Sequence, residues 1–118
     1  MKYMLLIYSE PNAYASLSKE ENDALFGEYF TFTQKIQESG EFVAGDPLQG
    51  IETATTVRTR DNKRALTDGP FAETKEVLGG YYIVDVKDLD RALELAEQIP
   101  GVRRELESIE VRPIMPVG

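Results

Sequence analysis

The densest chemistry in the chain lies in Asp68-Gly69-Pro70-Phe71-Ala72-Glu73-Thr74-Lys75-Glu76, where a turn set by glycine and proline gathers carboxylates, a hydroxyl and an ammonium. Aspartate at the head of such a turn commonly accepts hydrogen bonds from the amides that follow it, which is a purely local role. The same side chain carried into a desolvated cleft is a candidate proton donor or acceptor near neutral pH. Arg58 and Arg60 share one parity of the segment preceding the turn. A solvated edge position accounts for Arg58 in the simplest way. Its planar fork would also suit a carboxylate, either a ligand's or that of Asp68 or Glu73. Tyr81 and Tyr82 point to opposite faces of the strand that follows, so only one of their hydroxyls can share a cleft with Asp68. The candidate site is therefore Asp68 as the acid/base group, with Arg58, Glu73 and Tyr81 as substrate-binding groups. Lys75 and Glu76 read as a solvated surface pair.

Composition removes several chemistries. The 118 residues include no histidine and no cysteine. Imidazole general-base catalysis, Ser-His-Asp triads, thiolate nucleophiles, disulfides and the usual zinc sites are all excluded. No Asp/Glu spacing resembles a calcium loop, so neither a tightly bound metal nor a resident cofactor is expected. A net charge of -8 opposes nucleic acid and anionic membrane surfaces. The apolar run at the start of the chain is too short to span a bilayer and lacks a cleavage site, so the expectation is a soluble cytoplasmic protein without a targeting segment. Gly79-Gly80 lacks the following helix that would make it a phosphate cradle, and reads as a turn or bulge.

Hydrophobic patterning then places these residues on elements. Lys2–Tyr8 is apolar on both parities, Tyr3/Leu5/Ile7 and Met4/Leu6/Tyr8, as in a strand buried on both faces. Ser18 with Glu21 forms a capping box opening a helix. Leu25, Tyr29, Phe32 and Ile36, flanked by Phe26, Phe30 and Thr33, recur at helical spacing until Gly40. Core packing accounts for this aromatic stripe better than a cofactor box does. A strand from Glu41 to Gln49 is interrupted at Gly45-Asp46-Pro47, which suits a sheet edge. Ala54–Arg60, a turn at Asp61-Asn62-Lys63 and Arg64–Thr67 make a hairpin. Tyr81 to Val86 is again apolar on both faces. Asp88 caps a second helix that Pro100-Gly101 ends, and Ser108–Arg112 is the last strand.

The order β-α-β-(hairpin)-β-α-β predicts a single domain over residues 1–118, α+β in class, with a ferredoxin-like β-α-β-β-α-β core and an extra β-hairpin. The two strands that are apolar on both faces are those which that topology puts in the middle. Two helices cover only one side of a four-stranded sheet, so the other apolar face requires a second cover, most economically a second copy of the chain.

The run Asp68–Glu76 with the following Gly79-Gly80-Tyr81-Tyr82-Ile83-Val84 resembles the signature of the DGPF subgroup of the YciI-related family, a likeness that spans nearly the whole chain. It implies a homodimer in the dimeric α+β barrel form. Members close to YciI are noted for a His-Asp pair proposed as catalytic, and that pair cannot operate in a chain without histidine. The resemblance implies either a small-molecule protein acting on a small polar metabolite, with acid/base chemistry as the enzymatic form, or a noncatalytic regulatory module of the kind linked to sigma-factor-associated transcription control. If Asp68 belongs to the site, Asp68→Asn should abolish ligand binding or turnover while the dimer stays folded. Thermal-shift screening of small acids, nucleotides and metabolites reads this directly, since a ligand of the folded state raises the midpoint with occupancy; an unaltered response removes Asp68 from the site.

Overall fold

In the computed structural model, which describes residues 1–117, the chain runs β1 (Lys2–Ser9), α1 (Lys19–Glu38), β2 (Phe42–Pro47), β3 (Thr55–Arg60), β4 (Lys63–Asp68), β5 (Val77–Asp85), α2 (Leu89–Glu97), α3 (Pro100–Arg103) and β6 (Ser108–Pro113). The four-stranded sheet has the order β2-β5-β1-β6, and β3 pairs only with β4 in a separate ribbon. This is the ferredoxin-like arrangement with an added hairpin. Its two central strands, β1 and β5, are the two whose sequences are apolar on both parities.

Local chemistry fixes the element ends. Ser18 and Glu21 form the reciprocal capping box of α1, and Asp88 accepts from the Arg91 amide at the start of α2. Gly40 follows α1 with φ +79°, a conformation suited to a helix terminus. Asp61 and Asn62 both have positive φ in the β3–β4 turn, as a two-residue hairpin connection requires. Pro47 lies at the end of the edge strand β2, where no ladder donor is missed. Gly79 and Gly80 lie within β5, where the β1 register shifts between Ile7 and Tyr8, so they accommodate a bulge. One boundary differs from expectation: α2 stops at Glu97, and Pro100 with Gly101 opens α3 instead of closing the preceding helix. Proline tolerates a first helical turn because its missing N–H would have no partner there.

The core lies between the sheet and the helices. Tyr3, Leu5 and Ile7 of β1 and Tyr82 and Val84 of β5 meet Phe32 and Ile36 of α1 and Ala92 and Leu95 of α2. The other face carries Met4 opposite Ile83 and Leu6 opposite Tyr81, all only half-buried. The β3–β4 hairpin stands away as an arm. It accounts for a radius of gyration of 16.2 Å in a molecule 48 × 45 × 19 Å across, against roughly 13.5 Å for a compact domain of this length. Among the described residues no helix is long and apolar enough to cross a membrane.

Leu5 is fully buried at the centre of the sheet, so Leu5→Ala should lower stability by about 2–5 kcal/mol. Loss of the capping box in Ser18→Ala should remove only about 1 kcal/mol. Urea denaturation of the two variants beside the wild type measures this order.

Candidate functional site

A cavity of about 610 Å³ opens between α1 and the β2–β5 side of the sheet. The aromatic stripe of α1 explains why it exists. At 100° per residue the apolar positions from Leu25 to Ile36 span an arc of roughly 160°, wider than the ~100° needed to face a core. Leu25, Phe32 and Ile36 fill the narrower arc and are buried, whereas Phe26 and Phe30 are 73% and 71% exposed and form the outer wall of the cavity. The expectation that the stripe is wholly core therefore holds for one half of it. Tyr82 forms the inner wall, edge-on to Phe32 at 5.4 Å and to Phe42 at 6.4 Å, with its hydroxyl 2.8 Å from Thr33 Oγ1.

At one end of this cavity the carboxylate of Glu107 accepts hydrogen bonds from two tyrosines, Tyr14 at Oε2 and Tyr29 at Oε1. Tyr14 comes from the loop after β1, Tyr29 from α1 and Glu107 from the segment leading into β6. Glu107 is held there by its own backbone, whose amide donates to the Gly101 carbonyl at 3.1 Å. A Cβ on Gly101 would collide with the Glu107 carboxylate, so only glycine leaves the side chain its place. Burial, reinforced by the bonds to Glu107, pushes both phenols well above the ordinary tyrosine value of 10.0. Among the described residues no lysine or arginine pairs with Glu107, because Arg104 is taken by Glu28 and Arg91 by Glu41 and Glu94.

The residues singled out in the sequence fall elsewhere, with one exception. Asp68 ends β4 opposite Thr55 and is exposed, and its carboxylate has no hydrogen-bond partner among the described residues. The turn after it is held instead by the Gly69 amide on the Ala54 carbonyl at 2.7 Å and by the Thr56 hydroxyl on the Gly69 carbonyl at 2.8 Å. Gly69 has φ +101°, which a side chain would strain. Arg58 lies 5.0 Å over the Phe71 ring, a cation–π contact within the signature, and not on Asp68 or Glu73. Glu73 is exposed in the loop before β5, and Lys75 pairs with Glu10 at 3.2 Å instead of Glu76. Pro70, Phe71 and Thr74 line a second recess of about 590 Å³ with Tyr8, Leu48 and Leu78, to which Asp68, Arg58 and Glu73 do not contribute. Tyr81 is the exception. The residue borders the first cavity, while its hydroxyl, on the face of the sheet away from the helices, donates to Asp46 Oδ2 at 2.6 Å, a bond that raises its pKa. No group of three or more His, Cys, Asp or Glu suited to a metal occurs among the described residues.

Comparison with known proteins gives this architecture a family. The model of the YCII-related domain matches residues 1–117. The chain belongs to the YCII-related domain family. A relative in Rhizobium meliloti (strain 1021), an uncharacterised protein, is 33% identical over 114 residues, covering 97% of this chain and 92% of its own length. Among solved structures, this YCII-related chain is similar to the 5-chloro-2-hydroxyhydroquinone dehydrochlorinase of Burkholderia phenoliruptrix AC1100, solved in complex with 2,5-dihydroxybenzoquinone. That likeness has a TM-score of 0.57 at 12% identity and covers 98% of this chain and 94% of the other. It concerns the fold, which is that of an α+β barrel protomer.

The raised phenols have a consequence at alkaline pH. Tyr14 and Tyr29 stay protonated in the folded state above the pH at which unfolded tyrosine ionises, so the stability they contribute is complete below about pH 10 and is lost as pH rises further. Melting temperatures taken between roughly pH 9 and 11 should fall steeply for the wild type and less steeply for Tyr29→Phe.

Proposed function

We propose that this YCII-related protein, a member of the DGPF subgroup, is a homodimeric small-molecule-binding protein whose ligand occupies the cavity beneath α1. The observation that carries the reading is the cavity itself. It is largely apolar and aromatic, it lies within the ~300–1,000 Å³ usual for ligand sites, and its polar groups include the Glu107 carboxylate held by Tyr14 and Tyr29. That is the composition by which a protein orients a small molecule: apolar walls for affinity, a fixed polar group for direction. The dehydrochlorinase of similar fold holds a small ring compound, which supports a small-molecule role by analogy of fold alone.

The homodimer rests on the open face of the sheet. Met4, Leu6, Tyr81 and Ile83 form a half-buried apolar surface with both helices on the opposite side. A second copy laid on the same face buries it symmetrically. Such a dimer also provides a cover for the arm, where Val57 and Leu66 face each other across the ribbon at 63% and 55% exposure. In this reading Asp68, Arg58 and Glu73 contribute to ligand binding only where the second protomer covers the hairpin.

Sedimentation analysis should give the dimer mass for the wild type and a monomer for Leu6→Glu. Ligands found by a metabolite screen should lose at least about tenfold in affinity, close to 1.4 kcal/mol, in Phe30→Ala and Glu107→Gln. Because Phe30 is exposed, its variant should keep the wild-type melting temperature, which separates loss of the site from loss of the fold. Ligands indifferent to both variants would remove the cavity from consideration.

A further inference from the structure

The charge pattern of this cavity is one-sided. Its lining includes the carboxylate of Glu107 and no lysine or arginine, while Asp46 borders it with a side chain that goes with Tyr81 to the opposite face of the sheet. Glu107 forms no ion pair among the described residues and is met by the hydroxyls of Tyr14 and Tyr29. Hydroxyls satisfy hydrogen-bonding capacity without neutralising charge. A carboxylate also has room for more than two donors, so Glu107 keeps acceptor sites after Tyr14 and Tyr29 are bound. The same lining holds the rings of Tyr29, Phe26, Phe30 and Tyr82, and aromatic faces attract cations. The helix bearing the outer wall adds exposed Glu20, Glu21 and Asp23, and the chain as a whole has net charge -8. All of these contributions attract a positive ligand and oppose a negative one.

The geometry points to a ligand that is an organic ammonium with an apolar body, its nitrogen directed at Glu107 and its body held among the aromatic side chains under α1. This inference rests on the cavity being the ligand site and adds the class of molecule it takes. Phosphorylated metabolites, nucleotides and carboxylic acids are excluded by the same pattern, because nothing in the lining would neutralise them. A neutral alcohol of equal size would retain the hydrogen bond to Glu107 and lose the charge attraction, which makes it the informative control.

Three probes of one shape separate the possibilities: phenethylamine, 2-phenylethanol and phenylacetate, each titrated at millimolar concentration into the full-length protein and followed by protein-observed NMR. The expected result is that phenethylamine shifts the amides of Tyr14, Tyr29, Phe30 and Tyr82, and binds at least about tenfold more tightly than 2-phenylethanol, a preference of one factor of ten per 1.4 kcal/mol. Phenylacetate should leave these signals in place. The preference should shrink in Glu107→Gln and weaken with added salt, as an ion pair does. Because Glu107→Gln could disturb the fold, Phe30→Ala serves as a second variant, expected to weaken phenethylamine binding without altering the melting temperature. If the alcohol or the acid binds in the cavity as well as the amine, the charge inference is overturned while the cavity remains the site. Shifts located elsewhere, or no shift from any of the probes, overturn the inference together with the cavity reading beneath it.

Discussion

Everything in this molecule hangs on the antiparallel ladder between β1 and β5. Its register sets Tyr3 against Val84, Leu5 against Tyr82 and Ile7 against Gly80 on one face, and Met4 against Ile83 and Leu6 against Tyr81 on the other. Strand side chains alternate with a period of two, so a slip by one residue would exchange these faces completely. The helices bury the first set, with Leu5 and Val84 wholly excluded from water. The second set is left open, and the cavity lies on the helical side, where Tyr82 faces α1. Core, open face and cavity are three consequences of one pairing.

The polar end of the cavity is made by parts that meet only once this frame exists. A carboxylate partly withdrawn from water is costly unless its oxygens are bonded, and two phenols bond them here. The arrangement is preorganised in a simple way. Tyr29 rides on a helix capped at both ends, Glu107 is clasped by its backbone to Gly101, and Gly101 has no side chain to push the carboxylate aside. Under the proposed reading little reorganisation is then required of the protein when a ligand binds, which is the condition under which a few polar contacts give orientation.

Much of the frame was legible in the sequence because its signals are local. The Ser18–Glu21 box, the two-sided apolar runs around Leu5 and Ile83, and Pro47 at an edge each report on neighbours within a few residues, and each lies where that reading puts it. The junction of α2 and α3 misled because Pro-Gly serves both to end a helix and to begin one. Glu107 was illegible for a different reason. Its partners are 93 and 78 residues away, and nothing in Leu106-Glu107-Ser108 distinguishes it from a surface acid. The one available clue was the width of the α1 stripe, too broad for a core face alone. The signature is the opposite case. Five reactive side chains close together in sequence suggest a cleft, and in the single chain Asp68 and Arg58 lie on a two-stranded ribbon separate from the main sheet and are exposed.

Tyr82 belongs at once to the core and to the cavity, since its ring packs on Phe32 and Phe42 while its edge lines the space beneath α1. The outer wall has no such double membership, because Phe26 and Phe30 stand largely in solvent. Substitutions in the outer wall can accordingly reshape the cavity one residue at a time with little penalty to folding. A change at Tyr82 instead disturbs its packing on Phe32 and Phe42, so the inner wall is bound to the core and the outer wall is not.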